Sequence, residues 1–256
     1  MASEDCYLGI DVGSSGVKAM LVDAGGTSLG VASAGYETRY PHPGHVEQNP
    51  DDWYAAACVA VRELLDSTGI APERVGGLGL SGTSHVPSML DEHFKLVRPG
   101  ILWNDIRSEA QVRRLAQDAG ALIEARTGNS INCTWSLAQL SWVREHEPEA
   151  FRRTRYVLFS KDYLAFRLTG ERAADHSSAH SSLLVDKHLL DWDRELLALA
   201  GLTPEAVAPI HPSTAVIGAL TAAAASDLGL RPRLPVVIGM LDSAAELIGV
   251  GATGPS

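Results

Sequence analysis

Cysteine is scarce in this chain. Three of its 256 residues are cysteine, Cys6, Cys58 and Cys133, and their spacing matches neither a metal-ligand set nor a redox pair. They read as small buried thiols of a reducing compartment. Positive charge is short as well: 21 Lys and Arg face 31 Asp and Glu, for a formal charge of −10. Such a surface repels phosphate polyanions, which argues against non-specific nucleic-acid or anionic-membrane binding. It leaves room for a single nucleotide, whose site needs only backbone N–H groups, a few cations and Mg²⁺. No apolar run approaches the ~20 residues of a membrane helix, and the acidic start Met1-Ala2-Ser3-Glu4-Asp5 does not read as a leader peptide. Internal repeats and low-complexity stretches are lacking too. What remains is ordinary for a globular protein, 45% hydrophobic and 20% charged, and long enough for one large α/β domain or two small ones. The expected location is the cytoplasm.

The chain opens as a meander. Residues 7–12 form a short β-rich run, Gly13-Ser14-Ser15-Gly16 a turn, and residues 17–23 and 28–36 two further strands. Pro41-His42-Pro43-Gly44-His45 reads as a loop. A helix should start beyond Asn49, with Pro50 at its first position, Asp51 and Asp52 complementing its dipole, and Trp53, Ala56, Ala57, Val59, Ala60 and Leu64 on its apolar face. Strands are predicted over 75–80, 101–103, 156–159 and 235–239, and a hairpin over 86–97 that turns at Asp91-Glu92-His93. Helices are predicted over 108–119, 122–126, 136–145, 161–168, 192–200, 221–228 and 243–248.

Three segments carry candidate chemistry. The first is Gly9-Ile10-Asp11-Val12-Gly13-Ser14-Ser15-Gly16-Val17-Lys18. Its glycine spacing is not that of a dinucleotide fingerprint, and its lysine and following strand do not suit a P-loop. A strand, tight turn and strand with hydroxyls at the tip can still form an anion-binding concavity. Asp11 would then sit at the open mouth, placed to hold Mg²⁺ through water, and Lys18 would add a cation beside the phosphates. An ordinary hairpin with a solvated Asp and Lys is the alternative. The second segment joins Ser81-Gly82-Thr83-Ser84-His85-Val86 to Trp103-Asn104-Asp105. Hydroxyls, an imidazole, a flat ring, an amide and a carboxylate are what a polyol site uses, although His85 and Trp103 taken singly also suit a core. The third is Asp242, at the start of a helix after the last strand, where an N-cap is the plain reading.

Taken together these segments resemble the FGGY carbohydrate kinases, and the xylulokinase branch in particular. The first matches the phosphate hairpin of the sugar-kinase/actin/Hsp70 ATPase fold. The resemblance continues through Arg98-Pro99-Gly100-Ile101-Leu102-Trp103-Asn104-Asp105-Ile106-Arg107, His146-Glu147-Pro148-Glu149-Ala150-Phe151, Ser160-Lys161-Asp162-Tyr163-Leu164 and Leu168-Thr169-Gly170-Glu171. It implies an α/β, ribonuclease H-like (actin-like ATPase) domain with a mixed five-stranded sheet and helices on both faces. It implies ATP and Mg²⁺ as cofactors and a small sugar or polyol, D-xylulose first, as the molecule bound. Asp242 becomes the catalytic base, Asp11 the metal holder, and Gly13, Ser14, Ser15 and Lys18 the phosphate contacts. Ser84, His85, Trp103, Asn104, Asp105 and Ser243 become the sugar side. Residues 1–248 would be the first domain and 249–256 the start of a linker to a nucleotide domain that this chain lacks, so sugar binding with little turnover is expected of it. A homodimer is compatible with a full-length protein of this kind. Two departures stand out: Thr83-Ser84-His85-Val86 where xylulokinases carry Gln-Met-His-Gly, and Met240-Leu241 where the family carries glycines. They motivate a rival reading, a non-catalytic sugar-binding or regulatory relative, and lead to the expectation of a restricted backbone before Asp242.

Overall fold

The structure, a computed structural model, describes residues 6–83 and 85–252. The first five residues, Ser84 and residues 253–256 of the expected linker lie outside them. The main sheet holds β1 (Cys6–Val12), β2 (Gly16–Asp23), β3 (Ser28–Gly35), β4 (Val75–Gly82), β5 (Val216–Ala219) and β6 (Pro235–Leu241), in the spatial order β5-β6-β4-β1-β2-β3. β1, β2 and β3 form the antiparallel meander, β1, β4 and β6 run parallel, and β5 closes the far edge antiparallel. The sheet is therefore mixed, with six strands rather than five. The extra strand is Val216–Ala219, whose pairing with β6 is irregular between Val216 and Gly218.

The helices are α1 (Pro50–Thr68), α2 (Glu109–Thr127), α3 (Ser136–His146), α4 (Pro148–Arg153), α5 (Ser160–Thr169), α6 (His176–His180), α7 (Arg194–Ala200), α8 (Ala222–Leu228) and α9 (Asp242–Gly249). α1 starts as its sequence dictates: the Asn49 side chain accepts from Asp51 N–H at 3.2 Å, Pro50 needs no donor, and Gly69 ends the helix in the left-handed region. Its stripe of Trp53, Ala56, Ala57, Ala60, Val61 and Leu64 is buried on one face of the sheet. Alternation in β1 decides which residues meet it. Leu8, Ile10 and Val12 point into this core, while Tyr7, Gly9 and Asp11 look to the opposite face. α5 and α8 join α1 on the core side, and α9 lies against β6 and β4. A second core under α2, α3 and α7 gathers Leu115, Ile123, Leu137, Leu140 and Leu196.

Several local expectations change: Val59 is 57% exposed and lies off the buried stripe of α1, and the strand expected over 101–103 is Gly100–Ile101. Residues 108–119 and 122–126 are one helix, because Gly120 faces open space and its cost of ~1 kcal/mol against Ala is too small to break a long amphipathic run. Trp192 is not helical: Asp191–Trp192 pairs with Val185–Asp186, and Asp193 caps α7 by accepting from Glu195 and Leu196 N–H. Ser88–Leu90 meets Leu96 through one bridge and finds its ladder instead with Tyr156–Leu158. No helix among the described residues is long and apolar enough to cross a membrane.

Candidate active site

Three parallel strands end side by side. Val12 of β1 and Leu241 of β6 both pair with Gly82 of β4, so the residues that follow, Gly13, Thr83 and Asp242, leave the same edge of the sheet. The crevice beyond the carboxyl ends of parallel strands is where open α/β sheets bind ligands. One residue earlier, Asp11, Ser81 and Met240 stand level. Asp11 and Asp242 line one cavity of about 540 Å³, together with Lys18, Ser81, Met240 and Glu246. Their strands are two strand spacings apart, about 10 Å.

Asp11 is half-buried, and its Oδ1 has no hydrogen-bond partner among the described residues. An unpartnered carboxylate oxygen in a cavity is costly unless a cation or its water meets it, so the residue fits a hydrated Mg²⁺. Asp11 also helps, after burial, to push the Tyr36 hydroxyl well above its ordinary range. Asp242 is the first residue of α9, and the N-cap position belongs to Leu241. Its Oδ1 accepts from Ser243 N–H at 2.6 Å. Burial lifts the Asp242 carboxyl above the usual range; the Ser243 N–H opposes this, and the charges of Asp11 and Glu246 add to it.

The backbone before Asp242 does not need glycine at Met240 or Leu241. The left-handed conformation falls on Gly239, at φ +70°, while Leu241 has φ −56° and Met240 is not among the positive-φ residues. A side chain on Gly239 would place Cβ 1.6 Å from Leu80 O, so the bulge that re-registers β6 against β4 requires glycine there. Met240 is accommodated as part of the cavity wall.

At the hairpin tip, Gly13 N–H donates to Gly16 O at 3.0 Å and closes the turn. This corrects one expectation: Gly13 shapes the turn, and its own N–H is already used there. Gly16 lets β2 approach β3, since a Cβ would lie 2.6 Å from Ala34 O. Ser14 and Ser15 are exposed at the tip, and Lys18 is exposed on β2 opposite Asp11. Beneath the tip lies a residue the sequence did not flag. Gln48 is 1% exposed, donates to Ser14 O (2.7 Å) and Thr38 Oγ1 (2.8 Å), and accepts from Trp53 Nε1 (3.0 Å). The Tyr36 hydroxyl donates to Gly13 O from the other side.

The expected sugar residues divide. His85 is 5% exposed with φ +45°, and neither ring nitrogen has a partner among the described residues. Burial pulls its pKa down to about 4, so the ring is neutral near pH 7 and offers one donor and one acceptor. It is thus buried yet not satisfied as a core histidine would be. Trp103 is 47% exposed and Asn104 is exposed, so both stand on the surface rather than in the core. Asp105 is a correction. It is 1% exposed, its Oδ2 accepts from Val46 N–H at 2.6 Å, and both oxygens hold Arg107. Arg107 in turn reaches Glu47, which also binds Arg98, itself on Glu147. The Arg98-to-Arg107 stretch therefore owes its charged ends to an ion network that fixes the loop, and Asp105 is fully engaged within it. Ser243 is exposed and does not line the cavity. Ser84 lies outside the described residues.

Helix α3 holds both loops. Ser136 Oγ donates to His85 O (2.6 Å), the Trp135 ring packs on His85 at 5.2 Å, and Gln139 Nε2 donates to Leu102 O (3.0 Å). None of these was singled out in the sequence, because a buried Ser or Gln at a helix start looks like a cap. No cluster of three or more metal-ligating side chains occurs among the described residues, so a metal here would rest on one carboxylate, water and phosphate oxygens, as Mg²⁺ accepts.

Residues 6–249 match the model of the FGGY family of carbohydrate kinases, N-terminal domain. The chain is similar to the xylulose kinase of Escherichia coli, 35% identical over 96% of this chain and 50% of that protein. It is also similar to that of Bacillus subtilis, 32% identical over 95% of this chain and 49% of that protein. The crystal structure of xylulose kinase from Rhodospirillum rubrum superposes with a TM-score of 0.93 at 35% identity, covering 98% of this chain and 51% of that one. The chain spans about half the length of the relatives it matches.

Proposed function

From the premise that this chain belongs to the FGGY family of carbohydrate kinases, we propose that it carries the acceptor side of an ATP-dependent kinase for a small ketose or polyol, with D-xylulose the first candidate. The observation that supports this most is the pair Asp11 and Asp242 on one cavity at the carboxyl edge of β1 and β6. Asp242 is the general base in this reading. Its raised carboxyl is a better proton acceptor than an ordinary aspartate, and its hold on Ser243 N–H keeps one oxygen oriented. Transfer through a loose transition state asks little of the base beyond late proton removal, so placement of the attacking hydroxyl carries most of the rate.

The neutral His85 ring donates to one sugar hydroxyl and accepts from another, while Trp103 presents a flat face to C–H groups and Asn104 an amide. Ser14, Ser15 and Lys18 face the phosphates. Asp11 would hold Mg²⁺ through water, and the ion when bound neutralises charge on the phosphate oxygens. The test has two arms. Calorimetry of this chain with D-xylulose, pentitols and glycerol should give binding to one of them. A coupled ADP assay on a family-length polypeptide containing the chain should give turnover with that sugar, abolished by Asp242→Ala with binding kept. Binding without turnover in the unaltered protein would favour a sugar-binding relative; no binding to the panel removes the sugar assignment.

A further inference from the structure

Behind Asp242 lies a buried charge cluster that the proposed chemistry does not use. Lys161 Nζ sits between Asp162 Oδ1 (2.7 Å) and Asp175 Oδ1 (2.8 Å), all three side chains within 1% of full burial. Buried ion pairs are seldom worth their desolvation for stability alone, so what the cluster touches matters. Asp175 Oδ2 accepts from Ser177 Oγ at 2.5 Å and from Ser213 Oγ at 3.0 Å. Ser177 Oγ accepts from Leu241 N–H at 2.9 Å. Ser213 O accepts from Gly239 N–H at 3.0 Å. One carboxylate therefore anchors both residues that grip β6 on either side of Met240, just before Asp242.

The direction of the Ser177 hydroxyl is the key. A serine hydroxyl can donate or accept, and only a lone pair can meet the Leu241 N–H. Asp175, ionised and acceptor-only, takes the Ser177 proton and so turns the lone pairs toward Leu241. The Lys161 ammonium keeps Asp175 ionised in a site where burial alone would neutralise it, and the carboxyl sits at about 2. The Leu241 N–H belongs to the N-cap of α9, so its anchoring sets where the helix begins and where Asp242 stands.

We infer that Ser177, held by Asp175 and Lys161, is a positioning residue for Asp242: it fixes the start of α9 relative to the carboxyl edge of the sheet. The role in catalysis rests on the kinase reading above; the anchoring itself does not. Ser177→Ala is the test, since Asp175→Asn would strand a buried lysine and threaten folding. Amide exchange is followed by NMR in this chain. Leu241 N–H should exchange about 5- to 10-fold faster in Ser177→Ala, with amides of central β4 unchanged, and Ser177→Thr should restore protection. In the family-length polypeptide, kcat should fall about 10- to 100-fold with the sugar KM within about twofold, again rescued by threonine. Unchanged Leu241 exchange, or equal acceleration at β4, overturns the anchoring. Altered exchange with unchanged kcat overturns its catalytic role. If the unaltered polypeptide shows no turnover, the kinase reading fails, and the exchange experiment alone decides the anchoring.

Discussion

Replacing Gln48 by leucine removes a side chain that touches no ligand in the proposed reaction, yet the structure makes it expensive. Three hydrogen bonds disappear from a residue that is 1% exposed. Ser14 and Thr38 lie near enough to the surface for water to replace the amide, so those two losses cost about 1 kcal/mol each. Trp53 is different. It is fully buried, its indole N–H can only donate, and leucine leaves it orphaned at a cost of about 1–3 kcal/mol. The sum is about 3–5 kcal/mol, at the upper end of single substitutions. With a urea slope of about 3 kcal/mol/M for a domain of this size, the unfolding midpoint should fall by about 1 M or more at unchanged slope. Leucine is chosen because it fills most of the volume, so a cavity does not explain the loss. A midpoint within about 0.2 M of the original would refute the assignment of Gln48 as the post beneath the Ser14–Ser15 tip.

Gly239→Ala forces a methyl to 1.6 Å from a backbone oxygen in a left-handed conformation; since neither atom can yield without unzipping β4 from β6, loss should exceed about 4 kcal/mol and the melting temperature should drop by about 10 °C or more. A drop under about 3 °C by differential scanning calorimetry argues that the bulge is not needed. His85 has a folded pKa of about 4 against ~6.5 unfolded, so its contribution is full above pH ~6.5 and lost as pH falls toward 4, about 3 kcal/mol in all. Urea titrations at pH 7 and 4.5 should therefore differ less in His85→Asn than in the parent, and equal differences contradict a buried neutral imidazole. Because the Asp242 carboxyl is raised, the acid limb of the turnover profile should lie above the ordinary ~3.9 of an aspartate. Turnover constant down to pH ~4 excludes Asp242 as the base.

The sequence was most readable where local chemistry decides the backbone. Asn49-Pro50 starts a helix because a side-chain acceptor and a missing donor suit that place whatever the rest of the chain does. The alternation in β1 told which residues faced the core, and with it that Asp11 did not. The candidate site was readable only in outline. Asp105 looked like a ligand because it follows Trp103 and Asn104 in a run of groups that a polyol site uses, but a carboxylate two residues before an arginine can close on it, and here both side chains are buried together. Gln48 and Ser177 gave no signal, since what makes each matter is a partner far along the chain: Ser14 and Trp53 for one, Leu241 for the other.

The same contrast explains how the departures at Met240 and Leu241 are tolerated. From the sequence, the flexibility of the family's glycines belongs to the two positions they occupy. The sheet instead concentrates it at Gly239, where β6 must shift register against Leu80. Once that bulge is taken up, the strand need only be held, and it is held at Gly239 by Ser213 O and at Leu241 by Ser177 Oγ. A chain that grips its backbone at Gly239 and Leu241 has no use for freedom at Met240, and can give that position to a side chain that narrows the cavity beside Asp242. The bulk at Met240 thus forms part of the cleft wall and leaves the path of the chain unaltered, and Met240→Gly should widen ligand tolerance in the calorimetric panel while moving the urea midpoint little.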